Sequence, residues 1–140
     1  MTAPWTADEE PQVHVIERSG DLVHIRQAIR ALAQRCGLSL VDQTKMITAA
    51  SELARNTLTY GGGGTARAGL VGADGRRGVA AVFEDTGPGI ADVEQAMTDG
   101  WTSGGGLGLG LSGARRLVDD FRLRTAPGEG TTVTIIKWAR

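Results

Sequence analysis

The feature that most restricts how this chain can fold is the placement of its glycines. There are 21 in 140 residues, where an average chain carries about 7%. They form clusters: Gly61 to Gly64, then Gly87 and Gly89, then Gly104, Gly105, Gly106, Gly108, Gly110 and Gly113. Flexible linkers mix glycine with serine. Here glycine sits with Leu, Asp and Thr between strongly patterned segments. Such clusters read as working loops, where backbone must approach something closely or present its amides.

The segments between them follow regular periods. His14-Val15-Ile16-Glu17-Arg18 predicts a strand, with Ser19-Gly20-Asp21 as a turn and helix cap. Leu22, Ile25, Ala28, Ile29 and Leu32 recur at helical spacing, and Gly37 suits a C-cap. A second helix is expected from about Asp42 to about Tyr60, with the stripe Met46, Ile47, Ala50, Leu53, Ala54 and Thr57, ended by the run from Gly61 to Gly64. Strands over 66–73 and 78–85 are joined by Asp74-Gly75, a hairpin signal. A short helix fits 92–98, and Leu111, Ala114, Leu117, Val118 and Phe121 predict a helix over 109–121. Strands over 122–125 and 131–138 flank a Pro127-Gly128 turn.

This order lacks the strict alternation of a doubly wound parallel sheet. It predicts an α+β fold, a two-layer α/β sandwich with a mixed, mostly antiparallel sheet and helices on one face. One domain over 12–140, behind a disordered leader over 1–11, accounts for the length.

Charge and cysteine content narrow the function classes. Fifteen basic and 16 acidic side chains give a formal net charge of -1, which argues against the concentrated basic face of a nucleic-acid binder. The longest apolar runs are too short to span a bilayer, and the acidic leader lacks the order of a signal peptide. Cys36 cannot form an internal disulfide, and no His/Cys cluster suggests a metal cage. A cytoplasmic chain without nucleic-acid or membrane partners is expected.

Three motifs carry chemistry. In Ser51-Glu52-Leu53-Ala54-Arg55-Asn56, Glu52 and Asn56 lie four apart and share a helix face, roughly opposite the stripe centred on Ala50. Such a pair fits a solvated face. It also fits a carboxylate that accepts a hydroxyl proton beside an amide oxygen that ligates Mg²⁺, which prefers hard oxygens and keeps several waters. In Val82-Phe83-Glu84-Asp85-Thr86-Gly87-Pro88-Gly89-Ile90, a carboxylate past a strand end can accept from an exocyclic amine such as adenine's, while the glycines let backbone approach a flat ring. An ordinary strand-ending turn has the same appearance. The third motif, Thr102 to Leu111, runs a glycine loop into a helix, an anion nest of backbone amides. No Gly-Lys-Ser/Thr follows, so it is not a P-loop.

In this order and spacing the motifs resemble the N, G1 and G2 boxes of the GHKL (gyrase, Hsp90, histidine kinase, MutL) ATPase superfamily. The resemblance implies the Bergerat ATP-binding fold, with ATP and Mg²⁺. It implies Glu52 as catalytic base, and Asn56 as Mg²⁺ ligand and nucleotide contact. Asp85, Gly87 and Gly89 fall at the adenine, and Gly104, Gly105, Gly106, Leu107, Gly108, Leu109 and Gly110 around the phosphates. Thr131, after Gly128-Glu129-Gly130, matches the threonine that supports the adenine-binding aspartate.

The N-box sequence with Tyr60 and a glycine run is similar to the RsbT-type serine/threonine switch kinases. So are Asp99-Gly100-Trp101-Thr102-Ser103-Gly104-Gly105 and the Gly130-Thr131…Lys137-Trp138 ending, and the short stretch between the G1 and G2 boxes. This implies phosphorylation of STAS-domain partners of the stressosome, then binding and activation of a PP2C-type phosphatase. The leader and the four glycines at Gly61 to Gly64 depart from the pattern.

A related anti-sigma factor kinase, which holds a sigma factor and phosphorylates an anti-anti-sigma STAS protein, is the alternative. A histidine-kinase fragment would need dimerisation helices and a phosphoacceptor histidine, and neither His14 nor His24 has that setting. A nucleotide-gated module without catalysis would not need Glu52. A dehydrogenase does not fit the element order. Trp101 suits packing under a lid or a partner contact, and Trp138 the core or a sheet edge. Arg55 suits a phosphate or partner contact or a solvated helix face, and Cys36 a core position.

Overall fold

The computed structural model describes residues 10–98 and 110–140. Most of the expected leader, Trp101, and the glycine loop from Gly104 to Leu109 lie outside the described residues.

Strand β1, Gln12–Ile16, ends where the Asp21 carboxylate bends the chain: its Oδ2 accepts from Glu17 N at 2.9 Å and Arg18 N at 3.1 Å. Helix α1, Ser19–Cys36, starts from this bend, so Ser19, Gly20 and Asp21 form its first turn. The strand therefore sits two residues earlier than the sequence pattern suggested. Gly37, with φ of 82°, closes α1, and Leu38 N reaches back to Ala33 O at 3.0 Å. Helix α2, Leu40–Thr59, begins earlier than its apolar stripe, because Ser39 Oγ accepts from Asp42 N at 3.1 Å.

Strands β2, Gly64–Ala73, and β3, Arg76–Asp85, meet at Asp74 and Gly75, whose φ of 52° and 77° suit a type I′ turn. Helices α3, Val93–Ala96, and α4, Gly110–Leu117, precede β4, Asp120–Thr125, and β5, Thr131–Trp138. The helix expected over 109–121 therefore ends early, and Phe121 lies in β4 opposite Ile135. Asp119 explains the stop. Its N–H donates to Ile136 O at 3.0 Å, and its carboxylate accepts from Trp138 N at 2.8 Å and Arg140 Nη2 at 2.9 Å. The chain is thus fastened to β5 just before β4 begins.

The sheet runs in the order β1-β2-β3-β5-β4, and every pairing is antiparallel. The α+β sandwich is as expected, with no parallel pair among the described strands. Ala66, Ala68, Leu70, Val79, Ala81, Phe83, Val133 and Ile135 alternate onto one face, where they share the core with Ile25 and Ile29 of α1 and Met46, Ala50 and Leu53 of α2. The other face carries a smaller cluster of Val71, Ala80 and Trp138. There Trp138 donates from Nε1 to Asp120 at 2.8 Å under the Arg76 guanidinium, 4.6 Å above the ring. Cys36 is a buried core thiol.

The antiparallel register gathers five strand ends into one row, Ile16, Gly64, Asp85, Thr131 and Thr125. At the opposite end, buried Lys137 sits 3.6 Å from both Asp42 and Asp119, fastening the start of α2 to the end of β5. Helix α2 then runs towards the row of strand ends with Glu52 and Asn56 in its second half.

Candidate functional site

Glu52 occupies a different environment from the solvated face open to it on helical geometry alone. Its side chain is 8% exposed, because α4 packs across α2 and covers the face opposite the Ala50 stripe. A helical wheel sees one covered side; the fold supplies a second. The carboxylate is held at both oxygens. Oε1 accepts from Gly110 N at 3.1 Å, and Oε2 accepts from Arg55 Nη1 at 3.1 Å. Gly110 is the first residue of α4, so an acidic group stands at the helix end that carries unpaired amides and partial positive charge.

Asn56, one turn on, is half-buried. Its backbone carbonyl accepts from Tyr60 N at 2.9 Å and Gly61 N at 3.2 Å, ending α2, and its side-chain amide makes no hydrogen bond to a described residue.

Asp85 closes β3 at the centre of the row. Its Oδ1 accepts from Gly87 N at 2.9 Å, a local turn that fixes the carboxylate just past the strand. Oδ2 takes no hydrogen bond from a described residue. Directly opposite on β5 is Thr131, whose hydroxyl lies 3.0 Å from Thr125 Oγ1. Thr131 therefore adjoins Asp85 through the strand pairing, while its side chain joins Thr125. The Thr125 hydroxyl in turn accepts from Ile90 N at 2.9 Å and lies 3.0 Å from Gly130 O. This anchors the loop that contains Gly87 and Gly89 onto β4. Gly89, with φ of 75°, leaves no room for a Cβ against the Ala126 carbonyl.

The glycine run that departs from the family pattern has a place in this arrangement. At Gly61 a Cβ would lie 2.5 Å from Asp85 Oδ2, so the chain leaving α2 lies directly on the Asp85 carboxylate. Sequence reasoning missed Gly61. Its signal was there, in the join between the glycines and the end of the N-box helix. The contacts of Gly110 and Thr125 had no such signal, since both depend on pairings distant in the sequence. Gly104, Gly105, Gly106, Leu107, Gly108 and Leu109 lie outside the described residues, so only Gly110 of the third motif has a position.

The arrangement brings together an acidic group at a strand end, a backbone approach over it, and a buried carboxylate beside an amide uncommitted among the described residues. A profile of the histidine kinase-, DNA gyrase B-, and HSP90-like ATPases matches residues 41–139, the span of all these groups. The chain belongs to this ATPase family. It is 45% identical over 120 residues to the serine/threonine-protein kinase RsbT of Bacillus subtilis, covering 86% of this chain and 90% of that one. It is 31% identical to an anti-sigma F factor of Pasteuria penetrans, over 80% of this chain and 79% of that protein. Its fold superposes with a TM-score of 0.62 on a structure of the RsbU and RsbW domains of Rv1364c from Mycobacterium tuberculosis, at 21% identity. That match covers 94% of this chain and 33% of the larger one. The family expected from the three boxes, and the kinase branch within it, agree with these relatives. No helix among the described residues is long and apolar enough to cross a membrane.

Proposed function

We propose that this chain is a cytoplasmic, ATP-dependent serine/threonine protein kinase, one domain over 12–140, that phosphorylates STAS-domain proteins in a stressosome-type partner-switching pathway. The observation that carries the reading is the buried Glu52 carboxylate, fixed at both oxygens one helical turn from Asn56. Nucleotide binding alone has no use for such a group; deprotonation of an attacking hydroxyl does.

In this reading Asp85 selects adenine: Oδ2 accepts from the exocyclic amine, where guanine would present a carbonyl. The glycine loop and the start of α4 cradle the phosphates with backbone amides. Asn56 suits Mg²⁺, because its amide oxygen is uncommitted among the described residues, and one protein oxygen with phosphates and waters completes such a site. Bound there, the ion would neutralise phosphate charge. The partner's serine or threonine oxygen bonds to the γ-phosphorus as the bond to the β–γ bridging oxygen breaks and ADP leaves. The hydroxyl proton passes to Glu52, which later returns it to water. After release from its substrate, the kinase binds and activates a PP2C-type phosphatase, as the likeness to RsbT-type kinases suggests.

The likeness to an anti-sigma F factor favours one second reading, in which the same chemistry serves a chain that holds a sigma factor. One experiment addresses both. Purified protein with [γ-³²P]ATP and Mg²⁺ is offered a panel of STAS-domain proteins from the same genome, and a tagged copy is used to capture partners. Labelling of a STAS protein with capture of a PP2C-type phosphatase supports the first reading. Labelling with capture of a sigma subunit supports the second, and no labelling of any STAS protein contradicts both.

A further inference from the structure

Arg55 is an exposed arginine on a stretch of α2 where Ser51 to Ala54 and Asn56 to Leu58 are all buried or half-buried. Its side chain is 53% exposed, yet its Nη1 is committed to Glu52 Oε2 at 3.1 Å, a carboxylate only 8% exposed. It makes no other ion pair or hydrogen bond with a described residue. A half-exposed pair of this kind stabilises a fold little, since water and salt screen it. What the pair fixes is the position of the carboxylate.

We propose that Arg55 is a positioning residue for Glu52, fixing the oxygen that receives the hydroxyl proton; this rests on the reading of Glu52 as base. The two contacts divide the carboxylate. Oε1 faces inward onto the α4 amide in a buried bond, and Oε2 faces the guanidinium, the more exposed partner. A protein hydroxyl arriving from solvent meets the Arg55 side. An ionised carboxylate oxygen can accept at two lone pairs, so Oε2 holds Arg55 and still offers a site to the incoming hydroxyl. The single Nη1 contact, together with the Gly110 amide on Oε1, keeps the carboxylate in one rotamer, with Oε2 outward, before the partner docks. Without Arg55, Glu52 retains only the Gly110 contact among the described residues and turns about it. Proton transfer requires heavy atoms within about 3 Å, and displacement of about 1 Å can cost ~10²-fold in rate. Arg55 acts here through Glu52, and ATP binding does not depend on it.

The test is a double-substitution cycle on the full-length protein, with single-turnover phosphorylation of the STAS protein labelled in the panel, ATP affinity by calorimetry, and the ¹³Cδ resonance of Glu52 by NMR. Arg55→Ala should lower the transfer rate by about 10- to 100-fold, leave the KM for the STAS protein and the ATP affinity within about twofold, and shift or broaden the Glu52 resonance. Arg55→Lys should recover part of the rate. In a Glu52→Gln background, Arg55→Ala should cost nothing further, because the group it positions is gone. Independent, multiplying losses would overturn the proposal, as would an unmoved Glu52 resonance or a loss confined to KM, which would assign Arg55 to partner binding. Wild-type transfer by Glu52→Gln alone would instead sink the base reading beneath it. The NMR arm stands without any substrate.

Discussion

The contact between Gly61 and Asp85 yields a prediction in which substitutions at two adjacent glycines differ in their effect on ATP affinity. At Gly61 a Cβ would lie 2.5 Å from Asp85 Oδ2, so Gly61→Ala must displace the carboxylate. Its backbone φ is not in the left-handed region, so the substitution is costly only through this collision. Turning Asp85 away loses the Gly87 hydrogen bond, worth about 1 kcal/mol. The smaller freedom of the unfolded alanine chain offsets ~0.4–1 kcal/mol of that. The added Cβ would also lie 2.6 Å from Asp85 Cβ, which no rotation of the carboxylate relieves, so backbone must give and stability should fall by about 1–3 kcal/mol. ATP affinity should change greatly, because the bond from the adenine amine to a carboxylate is worth about 1.5–3 kcal/mol, or ~10- to 150-fold in Kd. Gly62 is the control: its φ is 76° with nothing within 4 Å of a Cβ. Gly62→Ala should cost about 1–2 kcal/mol in left-handed strain, lowering Tm by several degrees, while ATP binds as before. Calorimetric titration with ATP and a thermal melt on each variant read both quantities. A folded Gly61→Ala protein with wild-type ATP affinity would refute the reasoning, and so would equal affinity losses in both variants.

Two further outcomes concern the fold. Lys137→Ala removes the buried cation between Asp42 and Asp119 and should lower unfolding free energy by about 3 kcal/mol, the low end because Arg140 still reaches both carboxylates; a change under about 1 kcal/mol in urea titration would contradict this. His14 titrates below its ordinary range, through burial first and then the nearby His24, and its buried Nε2 has no hydrogen-bond partner among the described residues. The unfolded chain, titrating near ~6.5, then binds protons more readily than the folded one, so His14's contribution is complete above that pH and is lost as pH falls below it. Urea midpoints at pH 7.5 and 5.5 should differ more for wild type than for His14→Leu; equal differences would remove His14 as a source.

Much of this architecture could be read from local pattern. The Asp74-Gly75 hairpin, the α1 stripe ending at Gly37, and β5 over Thr131–Trp138 each follow from neighbours in sequence. The errors fall where distant groups decide. Phe121 continues the helical period of α4, yet Asp119 binds β5 through its backbone and side chain, and that tertiary tie outweighs propensity. Glu52 and Asn56 were recognisable as a pair sharing a helix face. The burial of Glu52 was not, because it depends on α4, 58 residues further on, packing over that face. The Gly61 contact lay between these cases. The glycines were conspicuous, but what they approach is set by the register that places Gly64 opposite Asp85.

The central claim, that Glu52 is a base in a phosphotransfer site, is tested most directly by separating binding from transfer in one variant. Glu52→Gln preserves size and can still accept from Gly110 N–H, so the fold should survive, and ATP affinity should stay within a few-fold of wild type by calorimetry. Transfer from ATP to a STAS-domain partner should fall by about 10²- to 10⁴-fold, the usual contribution of a general base. Asn56→Ala should weaken nucleotide and Mg²⁺ binding together. If Glu52→Gln instead phosphorylates the partner at the wild-type rate, Glu52 is a buried cap on α4 and the catalytic account is wrong.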